Sequence, residues 1–138
     1  MMFILDTNFI SEMRRPDRAD ANVMAWASTI PFSHFFISAI TILEIEQGLL
    51  LVERRDMQQG AILRLWRDNW VLPRFEGRVL AVDTAVAQRC AHLHVPDPQS
   101  ERDALIAATA LVHGMVVVTR NIADFASAGV RTLNPWNI

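Results

Sequence analysis

The chain of 138 residues is 51% hydrophobic, with a mean hydropathy of +0.19 and a formal net charge of −2. Its length suits a single domain over residues 1–138, and its charge excludes a globally basic nucleic-acid binder. Its apolar runs are too short to span a bilayer, and no charged segment followed by an apolar one precedes the first strand, so we expect neither a membrane span nor a signal peptide.

The chain begins with an apolar run, Met2 to Leu5, that ends at an acid, Asp6. Because the run does not alternate with polar residues, it predicts a strand buried on both faces, as in a parallel sheet. Asp6 then lies at the carboxyl end of the strand, where open α/β sheets bind their ligands. Asn8 is close enough in the chain to hydrogen-bond to it. Asp6 is therefore predicted to be the first carboxylate of a site.

Two helices and a second strand follow. We predict helices over residues 9–13 and 19–30 and a strand from His34 to Ser38. The longer helix places Val23, Trp26, Ala27 and Ile30 on one face, which is the pattern of a half-buried helix.

The next helix begins at Ser38 or Thr41 and runs to about Arg55. Thr41 and Glu44 have the spacing of a capping box, so Glu44 is either a cap or a ligand, and spacing alone favours the cap. Gly48 follows one turn later on the same face. A glycine there indicates the close approach of another backbone and costs about 1 kcal/mol of helix stability relative to alanine.

The middle of the chain predicts a helix, a loop, a strand and a further helix. Asp56 can cap a helix that runs to Trp70, residues 72–77 read as a loop, and residues 79–82 as a third buried strand. Asp83 is an N-cap rather than a ligand, because aspartate before a helix start usually caps it. Cys90 lies on the buried face of that helix and is predicted to be structural. A single cysteine excludes an internal disulfide and is typical of the cytoplasm.

The last third contains a helix and two strands. Ser100 is predicted to cap a helix over residues 101–113, with Asp103 in a capping-box position. Residues 115–119 form the clearest strand, Asp124 follows it, and a last strand covers residues 130–133. Alternating strands and helices predict an α/β fold with a mainly parallel sheet of four to five strands.

Four acids then lie near strand ends or helix starts at one edge of this sheet: Asp6, Glu44, Asp103 and Asp124. Carboxylates that converge in a cleft repel one another unless cations neutralise them. A hard cation such as Mg²⁺ or Mn²⁺ prefers oxygen ligands and binds substrate phosphates as well. Asn8, Thr119 and Asn121 can orient the carboxylates or water by hydrogen bonds.

Three segments carry a family resemblance: FILDTNFISEMRRP, ISAITILEIEQG and DALIAATALVHGMVVVTRNIADF…GVRTLNPW. In this order they resemble PIN-domain proteins of the VapC toxin group, in its FitB-like branch, over nearly the whole chain. The resemblance implies a three-layer α/β/α fold and a metal-dependent ribonuclease that leaves a 5′-phosphate and a 3′-hydroxyl. It also implies that Asp6, Glu44, Asp103 and Asp124 hold Mg²⁺ or Mn²⁺, so it changes the interpretation of Glu44 and Asp103 from caps to ligands.

The resemblance also implies partners. Many members of this group are toxins held inactive by an antitoxin, and DNA is then contacted through the antitoxin. We expect such an antitoxin, with an apolar, arginine-bearing tail that occupies the acidic cleft, and an RNA substrate. We also expect a homodimer or a hetero-oligomer with the antitoxin, which would bury the excess apolar surface. Arg14, Arg15 and Arg120 are candidates for contacts with RNA phosphates; solvated surface arginines are an equal alternative for the first two.

Other classes fit less well. A haloacid-dehalogenase-type phosphatase needs a second aspartate at the position of Asn8, and both it and a response-regulator receiver use a lysine, which this chain lacks because all 13 basic residues are arginine. A zinc site is disfavoured by one cysteine and scattered histidines; His92 and His94 lie two apart and point to different sides of a helix. A catalytically weak or inactive PIN module that acts through its DNA-binding partner remains the alternative function.

Overall fold

A computed structural model describes all 138 residues. Its five strands are β1 (Phe3–Leu5), β2 (Phe35–Ser38), β3 (Val79–Leu80), β4 (Val116–Val118) and β5 (Thr132–Leu133). Its α-helices are α1 (Thr7–Met13), α2 (Ala21–Ser28), α3 (Ala39–Arg55), α4 (Met57–Trp66), α5 (Leu72–Arg74), α6 (Thr84–Leu93) and α7 (Glu101–His113). A π-helical segment, Arg67–Val71, joins α4 to α5, and 3-10 turns lie at Phe32–His34, Ile122–Ala128 and Pro135–Asn137.

All five strands are parallel, in the order β3-β2-β1-β4-β5. The strand β1 is therefore central, and Phe3, Ile4 and Leu5 are all buried. Helices cover both faces of the sheet, as parallel sheets require. The predicted α/β/α architecture is confirmed.

The two faces of β1 lie in separate apolar clusters. Phe3 and Leu5 pack with Phe9 of α1 and Val23 of α2 on one face. On the other face, Ile4 packs with Ile106 and other residues of α7. Helix α6 then covers α7 through a third cluster that contains Val86 and Cys90. The small side chains of α7, mostly alanines, allow this close packing on both sides.

Several predicted helix ends are confirmed by their caps. The side chains of Asp56 and Asp83 accept hydrogen bonds from the backbone N–H groups of Gln59 and Val86. The second helix is shorter than predicted, because Asp20 caps it by accepting from the N–H groups of Asn22 and Val23 and so fixes its start.

Other local predictions are wrong. Residues 72–77 are not simply a loop: the helical path continues to Arg74, because the buried side chains of Val71 and Phe75 anchor it to the core. The segment predicted as a third buried strand is the short edge strand β3, and Val79 and Val82 are each 38% exposed. An edge strand has a sheet neighbour on one side only, so its apolar residues need not be covered.

Two helical glycines differ in their surroundings. A Cβ atom on Gly48 would meet nothing within 4 Å, so the predicted close approach of a backbone at this residue is wrong. The close approach occurs at Gly60 instead, where a Cβ atom would lie 2.9 Å from the Cα of Glu53. Helices α3 and α4 therefore pack closely at Gly60. No helix of the chain is both long and apolar enough to cross a bilayer.

These glycines predict opposite effects of the same substitution. We expect Gly48→Ala to stabilise the fold by about 0.5–1 kcal/mol, because alanine favours the helix and meets open space. We expect Gly60→Ala to destabilise it by about 1–3 kcal/mol, because the methyl group collides with backbone atoms of α3. Urea denaturation of the two variants measures both changes, and equal shifts in the same direction would contradict this account of α3–α4 packing.

Candidate functional site

Asp6 lies directly after β1, at the carboxyl edge of the sheet, and only 8% of its surface is exposed. Its backbone N–H donates to the carbonyl of Val118 at 2.9 Å, which extends the pairing of β1 with β4. Its carboxylate accepts from the N–H of Thr7 at 2.8 Å and from the hydroxyl of Thr119 at 2.8 Å. The predicted position of Asp6 is confirmed, and the carboxylate is held from two adjacent strands.

The three predicted supporting residues act in different ways. The amide of Asn8 lies 3.4 Å from the Asp6 carboxylate and 3.3 Å from the Thr119 hydroxyl. Thr119 is fully buried and is the main side-chain donor to Asp6. Asn121 contributes its backbone N–H, which donates to the Thr119 hydroxyl at 3.0 Å. Its side chain makes no hydrogen bond and is exposed, so the predicted role of its amide is not seen.

Glu44 is not a helix cap. Ser38, three residues before Thr41, caps α3 instead: its side chain accepts from the N–H of Ile40 at 3.0 Å, and the helix begins at Ala39. Glu44 consequently lies in the second turn of α3 and faces α1. There its carboxylate accepts from the hydroxyl of Thr7 at 2.7 Å.

Thr7 was missed by reasoning from the sequence. It lies between two carboxylates, since its N–H binds Asp6 and its hydroxyl binds Glu44, and its hydroxyl is also 3.2 Å from that of Thr41. Its position directly after Asp6, at the end of the first strand, could have indicated that it belongs to the site. A hydroxyl group at a strand end can both donate and accept, so it can bind whatever polar group lies across the cleft.

Asp103 and Asp124 complete the acidic group. Asp103 is half-buried in the first turn of α7, and Asp124 is exposed in the turn after β4. Burial raises the pKa of Asp103 most, and the charges of Asp124 and Glu44 raise it further, against a smaller opposing effect of Ser100. Charges affect one another's pKa in this way when they lie near one another, so Asp124 and Glu44 are neighbours of Asp103.

The same coupling reaches Asp6. Burial is the largest cause of its raised pKa; the hydrogen bonds from Thr119 and Thr7 oppose it, and the charges of Asp103 and Glu44 add to it. The structure thus brings together all four predicted acids around one cleft at the sheet edge.

The cleft fits a hard cation. Its donors are carboxylate and hydroxyl oxygens, and the buried Asp6 carboxyl group has no basic side chain as an ion-pair partner. The four carboxylates are spaced too widely for three of their oxygens to lie within 4.8 Å of one another. Mg²⁺ tolerates such spacing, because it keeps several waters and is typically bound through one or two carboxylates.

A cation already lies at the edge of the cleft. The guanidinium of Arg102 is 3.8 Å from the Glu44 carboxylate, and its side chain is 42% exposed. Reasoning from the sequence missed this residue, because an arginine within a charged run at the start of a helix has no distinguishing signal. An exposed pair of this length contributes little to stability, but it places a movable positive charge beside the acids.

The three predicted RNA-contacting arginines are separated. Arg14 is half-buried at the end of α1 and lines a pocket that also contains Glu44. Arg15 is exposed to solvent. Arg120 follows β4 at the sheet edge, with its guanidinium 5.6 Å from the centre of the Trp136 ring. Two of the three lie beside residues of the acidic cleft. Arg14 lines a pocket together with Glu44, and the backbone N–H of Arg120 is 3.4 Å from the side-chain oxygen of Asn8.

A second polar cluster lies between α6 and α7. Ligand atoms of Cys90, His94 and Glu101 lie within 4.8 Å of one another. The backbone N–H of Gln99 donates to Nδ1 of His94 at 3.0 Å, so the proton of a neutral ring is on Nε2, which faces Glu101 at 3.3 Å. A nitrogen that carries a proton cannot bind a metal. Burial raises the pKa of Cys90, which disfavours a reactive thiolate.

Comparison with known proteins places these features in a family. The family model described as PIN domain matches residues 3–130. The VapC ribonuclease Y4jK of Sinorhizobium fredii is 37% identical, with 98% of each chain covered. The toxin FitB of Neisseria gonorrhoeae is 34% identical, with 99% of each chain covered.

Two solved structures contain chains that are similar to this one over nearly its whole length. The FitAcB complex from Neisseria gonorrhoeae contains a chain that is 33% identical and superposes with a TM-score of 0.90, over 99% of this chain and 100% of that one. A structure of FitAB bound to an IR36 DNA fragment gives a TM-score of 0.89 at 34% identity, over 99% and 97% of the two chains.

The raised pKa of Asp6 predicts a pH effect on folding. In the folded state this carboxyl holds its proton to a higher pH than in the unfolded state, so the free energy of unfolding falls as pH rises above the ordinary value of 3.8. Asparagine at this position has no proton to lose. In EDTA we therefore expect Asp6→Asn to lose less stability than the unmodified chain between roughly pH 4 and 7.

Urea denaturation at several pH values measures this slope. The exposed loop residue Asp97 supplies a matched control, and Asp97→Asn should leave the slope unchanged. A steeper fall for Asp6→Asn than for the unmodified chain would contradict the predicted direction.

Proposed function

Since this chain belongs to the PIN-domain family, we propose that it is a metal-dependent ribonuclease and the toxin of a type II toxin–antitoxin pair. The observation that carries the proposal is the convergence of Asp6, Glu44, Asp103 and Asp124 at the carboxyl edge of the sheet. Similarity to a VapC ribonuclease and to the toxin FitB over nearly the full chain supports it.

We propose that these four carboxylates hold Mg²⁺ or Mn²⁺. Such an ion, when bound, supplies Lewis acidity that activates water and stabilises charge on phosphate oxygens. The residues of the chain supply position and charge. Asp6 is the most rigid of the four, because Thr119 and Thr7 fix both of its oxygens. Thr7 also fixes Glu44, so one residue sets the spacing of two carboxylates.

The substrate is then a phosphodiester of RNA that enters the cleft between α1, α3 and α7. Water attacks the phosphorus in line, and the products carry a 5′-phosphate and a 3′-hydroxyl. Arg120 and Arg102 lie at the borders of the cleft, where they can bind phosphates on either side of the cut. An accessible single strand or loop suits a cleft of this kind better than a duplex.

The proposed partner is an antitoxin. Two of the similar structures are FitAcB from Neisseria gonorrhoeae and FitAB bound to a DNA fragment, and a chain of each superposes closely on this one. An arginine-bearing tail would complement the acidic cleft, and contact with DNA would be indirect, through the antitoxin. We place this pair in the cytoplasm, with its RNA substrate.

A homodimer would cover exposed apolar residues of α3 and α4. Leu43, Leu50, Leu51, Ile62 and Leu65 are each 45–60% exposed. Exposed apolar residues that cluster on neighbouring helices are typical of interaction surfaces.

Loss of one carboxylate tests the enzyme. We expect Asp6→Asn to lower RNA cleavage by at least about 100-fold, because this carboxylate is the buried anchor of the proposed metal site. Cleavage of a labelled single-stranded RNA by protein freed of antitoxin, with Mn²⁺ or with EDTA, measures the effect. Asp97→Asn should retain full activity. If the unmodified chain neither binds Mn²⁺ nor cuts RNA but still binds an antitoxin, it is instead a PIN module for assembly or regulation.

The Thr119 hydroxyl provides a subtler test. We expect Thr119→Val to weaken Mn²⁺ binding about 10- to 100-fold, because valine removes the donor that orients Asp6 while keeping the buried volume. Thr119→Ser keeps the hydroxyl and should retain most of the affinity. Isothermal titration with Mn²⁺ measures both variants, and equal losses would indicate a packing effect rather than an orienting one.

A further inference from the structure

A pocket of about 210 Å³ adjoins the acidic cleft, between α1, α3 and α4. Thr7 and Glu44 belong to both spaces, so the pocket begins where the proposed site ends. A ligand held at the carboxylates can therefore extend into the pocket without leaving the protein surface.

Five of the ten residues that line the pocket are hydrophobic. Ile45 and Leu49 of α3 form one side together with Val52, and Leu63 and Trp66 of α4 form the other. Gly48 lines the pocket without a side chain. A Cβ atom at this residue would meet nothing within 4 Å, so the space beside Gly48 is open. Apolar walls of this kind can cover the two faces of a nucleobase.

Arg14 brings an unpartnered donor to the pocket. Its guanidinium makes no hydrogen bond or ion pair with the rest of the chain, although Arg14 is half-buried. Burial and the neighbouring charge of Arg15 lower its pKa, which is the direction expected for a cation without a partner. This end of the pocket thus favours a ligand that presents acceptors.

We propose that this pocket binds a guanine base of the RNA substrate, next to the phosphodiester that is cut; the inference rests on the ribonuclease function proposed above. Guanine presents two adjacent acceptors, O6 and N7, that match the two donors of an arginine fork. Its planar faces match the aliphatic and indole walls. The pocket then determines which sequence is cut, while the carboxylates act on the phosphate.

The two ends of the pocket differ in charge. Glu44 and Thr7 lie at the end that adjoins the cleft, and Glu44 suits the arginine expected on an antitoxin tail. Arg14 lies about two turns of α1 from Thr7, where it repels a second cation and attracts the acceptors of a nucleobase. The charge around Arg14 therefore favours a base of the RNA over a basic side chain of the antitoxin.

Two substitutions test the proposal in different ways. Gly48→Leu fills the pocket from a helical position with room for a side chain, and Arg14→Gln removes the charged fork. Their matched controls are Gln47→Leu and Arg18→Gln, at exposed positions outside the pocket. Each protein, freed of antitoxin, is incubated with Mn²⁺ and a pool of single-stranded RNA of random sequence, and both ends of the products are sequenced.

We expect the unmodified chain to prefer guanine at one fixed position beside the cut by about 5- to 150-fold, the discrimination that one bidentate arginine–guanine pair supplies. Both pocket variants should lose most of this preference, whereas the controls should keep it. Cleavage without a base preference, or a preference that survives both pocket variants, overturns the proposal and leaves the ribonuclease function intact.

Binding separates this inference from the enzyme. Anisotropy of labelled uridine hexamers with and without one guanosine is measured on Asp6→Asn protein in EDTA, alone and combined with Gly48→Leu or Arg14→Gln. Guanine-selective binding that the pocket variants abolish supports the pocket even if no cleavage is found. Absence of selective binding overturns it. So does a result in which the pocket variants keep base selectivity but lose affinity for the antitoxin, because the pocket then belongs to the protein partner.

Discussion

The hydrogen bond from the Thr119 hydroxyl to the Asp6 carboxylate joins the ends of the two central strands, over 2.8 Å, in a fully buried position. A carboxylate this deeply buried would ordinarily take up a proton, and its pKa is raised accordingly. The Thr119 hydroxyl and the N–H of Thr7 limit that rise. The fold thus places a carboxyl group where burial opposes its charge, and the other carboxylates of the cleft make that charge still less favourable.

This constraint explains why the surrounding elements begin where they do. Ser38, at the end of β2, caps α3 three residues before a threonine that could also have done so, and this register turns Glu44 toward Thr7. Asp103 enters the cleft from the first turn of α7, where the helix dipole offsets part of its charge. Alanines along α7 then allow its close packing between the sheet and α6. The acids therefore converge because three parallel strands and two helices meet at one edge of the sheet.

The sequence predicted correctly those strands, helices and N-caps that depend on residues close together in the chain. The central strands β1 and β4, the helix from Glu101 to His113 and the caps Asp56 and Asp83 are of this kind. Predictions failed where the outcome depends on distant contacts. The exposure of β3 follows from its edge position, and the helical path before Phe75 follows from anchors in the core. The meeting of the four acids required the family resemblance as well as strand order, and neither indicated Thr7 or Arg102.

Glu44 belongs to both the acidic cleft and the adjoining pocket. It accepts a hydrogen bond from Thr7, lies 3.8 Å from the guanidinium of Arg102, and lines the pocket that contains Arg14. A cation among the carboxylates would compete with Arg102 for this side chain, and a ligand in the pocket would contact the same side chain. Because coupling between two binding events is reciprocal, whatever fixes Glu44 for one ligand changes the affinity for the other by the same factor. Recognition of the base and retention of the metal would then be linked through a single glutamate.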